Sequence, residues 1–306
     1  MNILFMGSGT FSVPTLKKIL NNKDFNLVAI YTGEPKKQNR GHKICNNIVH
    51  DKALEYGFCN NLIFYPNKLN NEAEINRIKS FKPDVIIVVA YGKIIPDSII
   101  SIPKEIINIH PSSLPKYRGA APIERTIENG EKEIDICIIK VIKELDAGDI
   151  LTKQTLQISK DDHANDVITK CSEIGSELLI KSLYSIKNNQ YSFTKQNNLE
   201  NIIYAKKIEK EELLLDFNND VKYVYNKIRA FNMHGGCYFI DKKNKDKIKI
   251  LNAKYLLNES IAEQDIGNFD RNNGYISCNN GYIIPIILQK EGRQKIDLKS
   301  FLNGFK

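Results

Sequence analysis

Two short stretches of this 306-residue chain gather the residues that could do chemistry. The first is Ile107-Asn108-Ile109-His110-Pro111-Ser112-Ser113-Leu114-Pro115-Lys116-Tyr117-Arg118-Gly119, and the second is Leu145-Asp146-Ala147-Gly148-Asp149. Side chains alternate along a strand, so Asn108 and His110 share one face while Ile107 and Ile109 share the other. An amide and an imidazole at the end of an apolar strand need partners or a substrate, because each costs about 1–3 kcal/mol if buried unpaired. The proline-containing turn that follows ends the strand and is expected to leave backbone amides and carbonyls free for a ligand.

Taken singly, His110 reads as a satisfied core histidine and Asp146 as an ordinary turn aspartate. With Asn108 they read as the parts of an acyl transfer to nitrogen. Asn108 can donate to an oxygen that becomes negative, and His110 can stabilise that charge or move a proton. Asp146 can orient the histidine and accept a proton from an amine. No Ser, Cys or Lys nucleophile is required, since a deprotonated acceptor amine attacks directly. Gly7-Ser8-Gly9 after the first strand invites a dinucleotide reading, but position 12 is Ser where a third glycine would stand. A tight strand-to-helix turn explains both glycines about as well.

The elements that must hold these residues follow from the apolar pattern. Runs at 2–6, 27–31, 62–65 and 85–90 read as strands with helical stretches between them, which predicts an α/β fold with a parallel sheet. Ligands of such sheets bind at the carboxyl ends of the strands, where Asn108 and His110 sit. Segments 134–141 and 150–158 read as strands bracketing Asp146, and 164–186 reads as a long amphipathic helix. From 187 to 203 the chain turns to Asn, Gln, Ser and Lys and is read as a linker. Beyond a helix at 221–230, short strands at 236–240, 248–256, 275–278 and 282–288 predict a small β-barrel.

Composition sets the remaining bounds. With 42% hydrophobic and 26% charged residues the chain can fill two cores, so two domains are expected. The apolar run at 85–90 is too short for a bilayer, and no basic leader or cleavage site precedes the first strand. A cytoplasmic protein with no membrane partner is therefore expected. Six cysteines lack any C-x-x-C spacing, which suggests free thiols and no metal site. The net charge is +8, with the excess towards the C-terminus, where Lys242, Lys243, Lys245 and Lys247 crowd one stretch. Such a stretch can attract a phosphate backbone, although a solvated Lys-rich hairpin is equally consistent with a chain rich in Lys, Asn and Ile.

The set Asn108-x-His110-x-Ser112-x-Leu114-Pro115-x-x-Arg118-Gly119 with Leu145-Asp146-x-Gly148 resembles the folate-dependent formyltransferase family. Gly119-Ala120-Ala121-Pro122-Ile123, Ala90-Tyr91-Gly92-Lys93-Ile94-Ile95-Pro96, Tyr204-Ala205-x-Lys207-Ile208 and Ile228-Arg229-Ala230-Phe231-Asn232 resemble the branch whose acceptor is methionine on initiator tRNA. The resemblance implies a Rossmann-like catalytic domain over 1–187, a linker over 188–205 and an OB-like tRNA-binding barrel over 206–306. It implies 10-formyl-tetrahydrofolate as donor, initiator methionyl-tRNA as acceptor, and Asn108, His110 and Asp146 in the catalytic positions; apart from the resemblance, a monomer is expected. By the same resemblance Ser112, Ser113, Leu114 and Pro115 form the folate-binding turn, and Ala90, Tyr91 and Gly92 another wall of that pocket. Lys36, Lys37, Arg40 and Lys43 fall where the family places a basic loop against the tRNA acceptor end, although a solvated charged turn would carry the same residues. Two departures stand out: Ser113 replaces a usual leucine, with folate binding expected to be retained, and Met233-His234-Gly235 replaces Pro-Trp-Pro. Two further readings keep part of the pattern, a sugar-nucleotide N-formyltransferase with the same donor and a non-catalytic tRNA-binding protein on the same fold.

Overall fold

The structure is a computed structural model and describes residues 1–38, 43–197, 199–258 and 260–304. The chain divides into two compact units. The first comprises Met1–Arg118, Asp135–Leu156 and Ile168–Tyr204, and the second Gly119–Ile134, Gln157–Val167 and Ala205–Lys306.

The sheet of the first unit has seven strands: β1 (Asn2–Gly7), β2 (Asn26–Tyr31), β3 (Ile63–Phe64), β4 (Val85–Val89), β5 (Glu105–His110), β6 (Glu133–Lys140) and β7 (Ile150–Gln157). Their spatial order is β7-β6-β5-β4-β1-β2-β3. Strands β5, β4, β1, β2 and β3 run parallel, and β6 runs antiparallel to β5. The sheet is thus mixed rather than wholly parallel. Strand direction leaves no mark on an apolar run: β6 is covered on both faces like its parallel neighbours, so its residues 134–139 are all buried and read the same way.

Helices α1 (Val13–Leu20), α2 (Ile48–Glu55), α3 (Glu72–Ser80) and α4 (Asp97–Ile100) connect the parallel strands. Asparagine, abundant in this chain, serves as cap: Asn47 Oδ1 accepts from Val49 N at 3.0 Å and Asn71 Oδ1 from Glu74 N at 2.9 Å. Each such cap satisfies an otherwise orphaned helix amide. Because the strands are buried on both faces, Ile3, Leu4, Phe5, Met6, Ile86 and Ile87 are fully enclosed. The chain leaves β1 towards β2 on one side and returns through β4 on the other, so connections diverge at the carboxyl ends of β1 and β4, where open α/β sheets place ligands.

The second unit contains α5 (Pro122–Glu128), the start of α6 (Ala164–Lys187), α7 (Val221–Ala230), α8 (Leu298–Asn303) and a second sheet. Arg125 Nη1 of α5 lies 2.8 Å from both Glu128 and Glu212, and the Tyr223 hydroxyl of α7 donates to Glu128 at 3.3 Å, tying α5 to α7. The sheet consists of β8 (Cys237–Ile240), β9 (Lys247–Leu257), β10 (Phe269–Asp270), β11 (Tyr275–Cys278), β12 (Gly281–Lys290) and β13 (Ile296–Asp297). Its order is β8-β9-β12-β11-β10, with β13 on β12, and no pairing among the described residues closes it into a barrel. The expected barrel is therefore seen as an open sheet path. Short strands separated by turns specify a sheet, whereas closure depends on tilt and register that a strand pattern does not carry.

All six cysteines are unbridged. Burial pushes the thiols of Cys137, Cys171, Cys237 and Cys278 up to about 12, which keeps them protonated and unreactive near neutral pH. Cys59 is exposed. Brief treatment of the native protein with iodoacetamide at neutral pH should modify Cys59 and leave these four unmodified until the chain is denatured. Peptide mass spectrometry checks this, and prompt labelling of Cys137 would contradict the packing of β6.

Candidate active site

Strand β5 ends beside β4 with Asn108 level with Val88, which sets the loop after β4 next to the end of β5. Ile107 and Ile109 face away from the site and are buried. Gly175 of α6 covers that face so closely that an added Cβ would lie 2.7 Å from Ile109 Cγ2. On the opposite face Asn108 is half-buried, and its amide has no hydrogen-bond partner among the described residues. His110 is buried, and its Nε2 lies 3.1 Å from the main-chain oxygen of Tyr117.

That contact fixes the imidazole chemically. A carbonyl oxygen only accepts, so Nε2 carries the hydrogen and the neutral ring presents a lone pair at Nδ1. His110 Nδ1 lies 3.7 Å from Asp146 Oδ2, beyond a hydrogen bond but within the reach of an ion pair when the ring is protonated. The ring is held at Nε2 by the carbonyl of Tyr117 and faces Asp146 from Nδ1. Tyr117 reaches that position at φ 61°, a left-handed conformation uncommon for a residue with a side chain. Asp146 at φ 50° and Ala90 at φ 50° share that conformation, and such local strain tends to be held at functional sites.

Asp146 stands on the turn between β6 and β7, which closes through Lys140 N donating to Asp149 O at 2.9 Å. Gly148 is required there, because a Cβ at this position would sit 1.8 Å from Lys140 O. A further hold on this turn comes from Gln196, in the stretch read as a linker. Its Nε2 donates to the carbonyls of Asp146 at 2.9 Å and Gly148 at 2.8 Å, while its Oε1 accepts from Arg118. Sequence reasoning missed Tyr117 and Gln196. Neither carries a signal: one acts through a main-chain oxygen common to every residue, and the other is one of several polar residues in a segment without periodicity.

The turn after β5 differs from expectation in its backbone. The amides of Ser112, Leu114 and Lys116 are bonded to His110 O, Ser112 O and Ser113 O, so they are not left free. Cys137 Sγ donates to Ser112 O at 3.3 Å, and Ser113 Oγ accepts from Asp135 N at 3.0 Å. Ser112 Oγ is buried without a partner among the described residues, Leu114 is half-buried, and the Leu114–Pro115 bond is cis. In the loop after β4, the Tyr91 ring packs against the core, and burial pushes its phenol pKa up. Ala90 and Gly92 on either side are exposed.

The candidate nucleic-acid residues lie elsewhere. Lys36 is exposed on a short hairpin that pairs Lys36–Gln38 with Lys43–Cys45. Arg40 lies outside the described residues, and of Lys37 and Lys43 only the main chain is described. Lys242, Lys243 and Lys245 are exposed in the turn between β8 and β9, with Lys247 at the start of β9. Lys242 Nζ donates to Ile266 O at 2.6 Å, and Lys247 Nζ lies 4.2 Å from the Tyr238 ring centre and 3.8 Å from Glu291. The ammonium groups of Lys243 and Lys245 have no partner among the described residues. Among those residues no group of three or more His, Cys, Asp or Glu could hold a metal ion.

Replacing Gly148 by Ala is expected to displace the Asp146 turn. Since a misplacement of about 1 Å can cost about 100-fold in rate, turnover at saturating substrate should fall by about that factor. The thermal midpoint, measured alongside, separates damage to the site from loss of the fold.

Comparison with known proteins agrees with this architecture. The family signature described as formyl transferase matches residues 1–183, and that described as formyl transferase, C-terminal domain, matches residues 207–306. A methionyl-tRNA formyltransferase of Rickettsia bellii is 36% identical over 309 residues, covering 100% of this chain and 97% of that protein. The N-formyltransferase of Helicobacter canadensis, solved with folinic acid and dTDP-3-aminofucose, superposes with a TM-score of 0.66 at 22% identity, covering 94% of this chain and 98% of that one. Methionyl-tRNA formyltransferase from Clostridium thermocellum superposes with a TM-score of 0.59 at 20% identity, covering 83% of this chain and 93% of that one. These two likenesses show the fold alone. The family signatures together with the full-length identity place the chain in the formyl transferase family.

Proposed function

We propose that this enzyme transfers the formyl group of 10-formyl-tetrahydrofolate to the α-amine of methionine carried on initiator tRNA. The observation that carries the chemistry is the convergence of His110 and Asp146, 3.7 Å apart, at the strand end that also presents the unpartnered amide of Asn108. The acceptor is carried by full-length similarity to a methionyl-tRNA formyltransferase. The donor supplies a formyl carbon whose oxygen becomes negative as the amine adds. Asn108 and the exposed backbone at Ala90 and Gly92 offer polar groups for such a ligand, and the buried hydroxyl of Ser112 is a further unpaired one.

The roles of the side chains follow from their atoms. Asn108 donates an N–H to the developing oxyanion. His110, with Nε2 committed to Tyr117 O, acts through Nδ1, donating there when protonated. Asp146 accepts the proton that the amine must lose as its nitrogen bonds to the formyl carbon. The proton that the departing folate nitrogen requires is returned from the same group, directly or through water. Residues 1–187 act as the catalytic domain and 188–205 as linker. Residues 206–306 act as an OB-like tRNA-binding domain, and the exposed Lys243 and Lys245 offer charge to phosphate.

Asn108→Ala should lower turnover about 100-fold or more, the value of one oxyanion donor, with little effect on thermal unfolding. An undiminished rate would remove Asn108 from the reaction. The acceptor is tested by supplying labelled 10-formyl-tetrahydrofolate with either methionyl-initiator-tRNA or a sugar-nucleotide amine. Label should pass to the aminoacyl-tRNA, with a kcat/KM that falls steeply as salt rises. Transfer to the sugar alone would overturn the acceptor, and tRNA binding without transfer would overturn the enzyme.

A further inference from the structure

The geometry points to Gln196 as a positioning residue that sets the Asp146 carboxylate for the reaction, an inference that rests on the role given to Asp146 above. Gln196 is buried, and its amide is saturated. Two donor contacts go to the carbonyls of Asp146 and Gly148, at 2.9 and 2.8 Å, and two acceptor contacts come from Arg118 Nε and Nη2, at 3.1 and 2.6 Å. The orientation of this amide is chemically forced. Arg118 is buried and its guanidinium only donates, so it must face oxygen, which leaves the NH2 group facing two carbonyls that only accept.

Arg118 belongs to the same stretch as His110, one residue beyond the Tyr117 carbonyl that holds the imidazole. The two halves of the site are thereby referenced to each other through one side chain from a third segment. The histidine is held by the Tyr117 carbonyl, and the aspartate's turn is held by Gln196, which Arg118 orients. The turn that carries Asp146 at φ 50° is also closed by Lys140 N donating to Asp149 O, where Gly148 leaves room for Lys140 O.

Gln196→Glu separates positioning from folding. The carboxylate keeps an acceptor for Arg118 and so protects the buried guanidinium, but it places an oxygen against the carbonyls of Asp146 and Gly148 and removes both donors. The full-length variant is compared with the wild type in thermal unfolding, steady-state formyl transfer to methionyl-tRNA and hydrogen exchange of peptides spanning 141–150. The expected result is cooperative unfolding with the thermal midpoint lowered by a few degrees at most, and faster exchange confined to 141–150. With it kcat should fall about 10- to 100-fold while KM for the folate donor stays within about twofold.

Wild-type exchange in that turn, or faster exchange with undiminished kcat, overturns the inference. A fall in kcat accompanied by faster exchange throughout the first unit also overturns it, since Gln196 would then be structural. If the wild type itself transfers no formyl group, the proposed function fails, and the exchange of 141–150 alone decides whether Gln196 holds the turn.

Discussion

One nitrogen of His110 is committed to a main-chain carbonyl, and the chemistry available to the site follows from that bond. With Nε2 donating to Tyr117 O, the ring cannot flip or change tautomer without losing that hydrogen bond. Nδ1 is thereby the one nitrogen left to face a substrate and the Asp146 carboxylate. With the ring held by backbone at Nε2, the Asp146 carboxylate lies opposite Nδ1 at 3.7 Å, close enough for charge on one group to be felt by the other.

The sheet supplies the rigid half of this arrangement. Strand β5 is held by parallel pairing to β4 on one edge, antiparallel pairing to β6 on the other, and the close approach of Gly175 behind Ile109. Its carboxyl end therefore cannot shift without disturbing three buried contacts. The aspartate sits on a turn and holds φ 50°, a conformation that local propensity does not favour. A steric requirement for glycine at 148 and the hydrogen bonds of Gln196 substitute for the regular secondary structure that this position lacks. The separation of a strand-borne pair from a turn-borne partner lets the chain build a site from stretches far apart in sequence.

The surplus positive charge has a different distribution from the chemistry. Buried cations such as Arg118 and Arg229 are bound to acceptors within their own units. The lysines of the turn between β8 and β9 are exposed, and of these Lys243 and Lys245 hold no side-chain partner among the described residues. Long-range attraction of a polyanion requires this kind of exposed charge, whereas the candidate site gathers an amide, an imidazole and one carboxylate.

Residue types alone pointed to the candidate reacting groups, an amide and an imidazole at a strand end and a carboxylate beside a glycine turn. They also located the seven strands of the first sheet, most of them because central strands buried on both faces read as apolar runs, although the edge strand β7 is largely exposed and polar. The tertiary structure decided what holds those groups. The direction of β6, the open path of the second sheet, the carbonyl of Tyr117 beside His110 and the clamp of Gln196 on the Asp146 turn depend on which segments come together. Every residue carries the same carbonyl, and a glutamine in a polar stretch looks like its neighbours. Only the folded chain distinguishes the acceptor that holds the His110 ring, or the amide bonded to the Asp146 turn, from the many chemically identical groups around them.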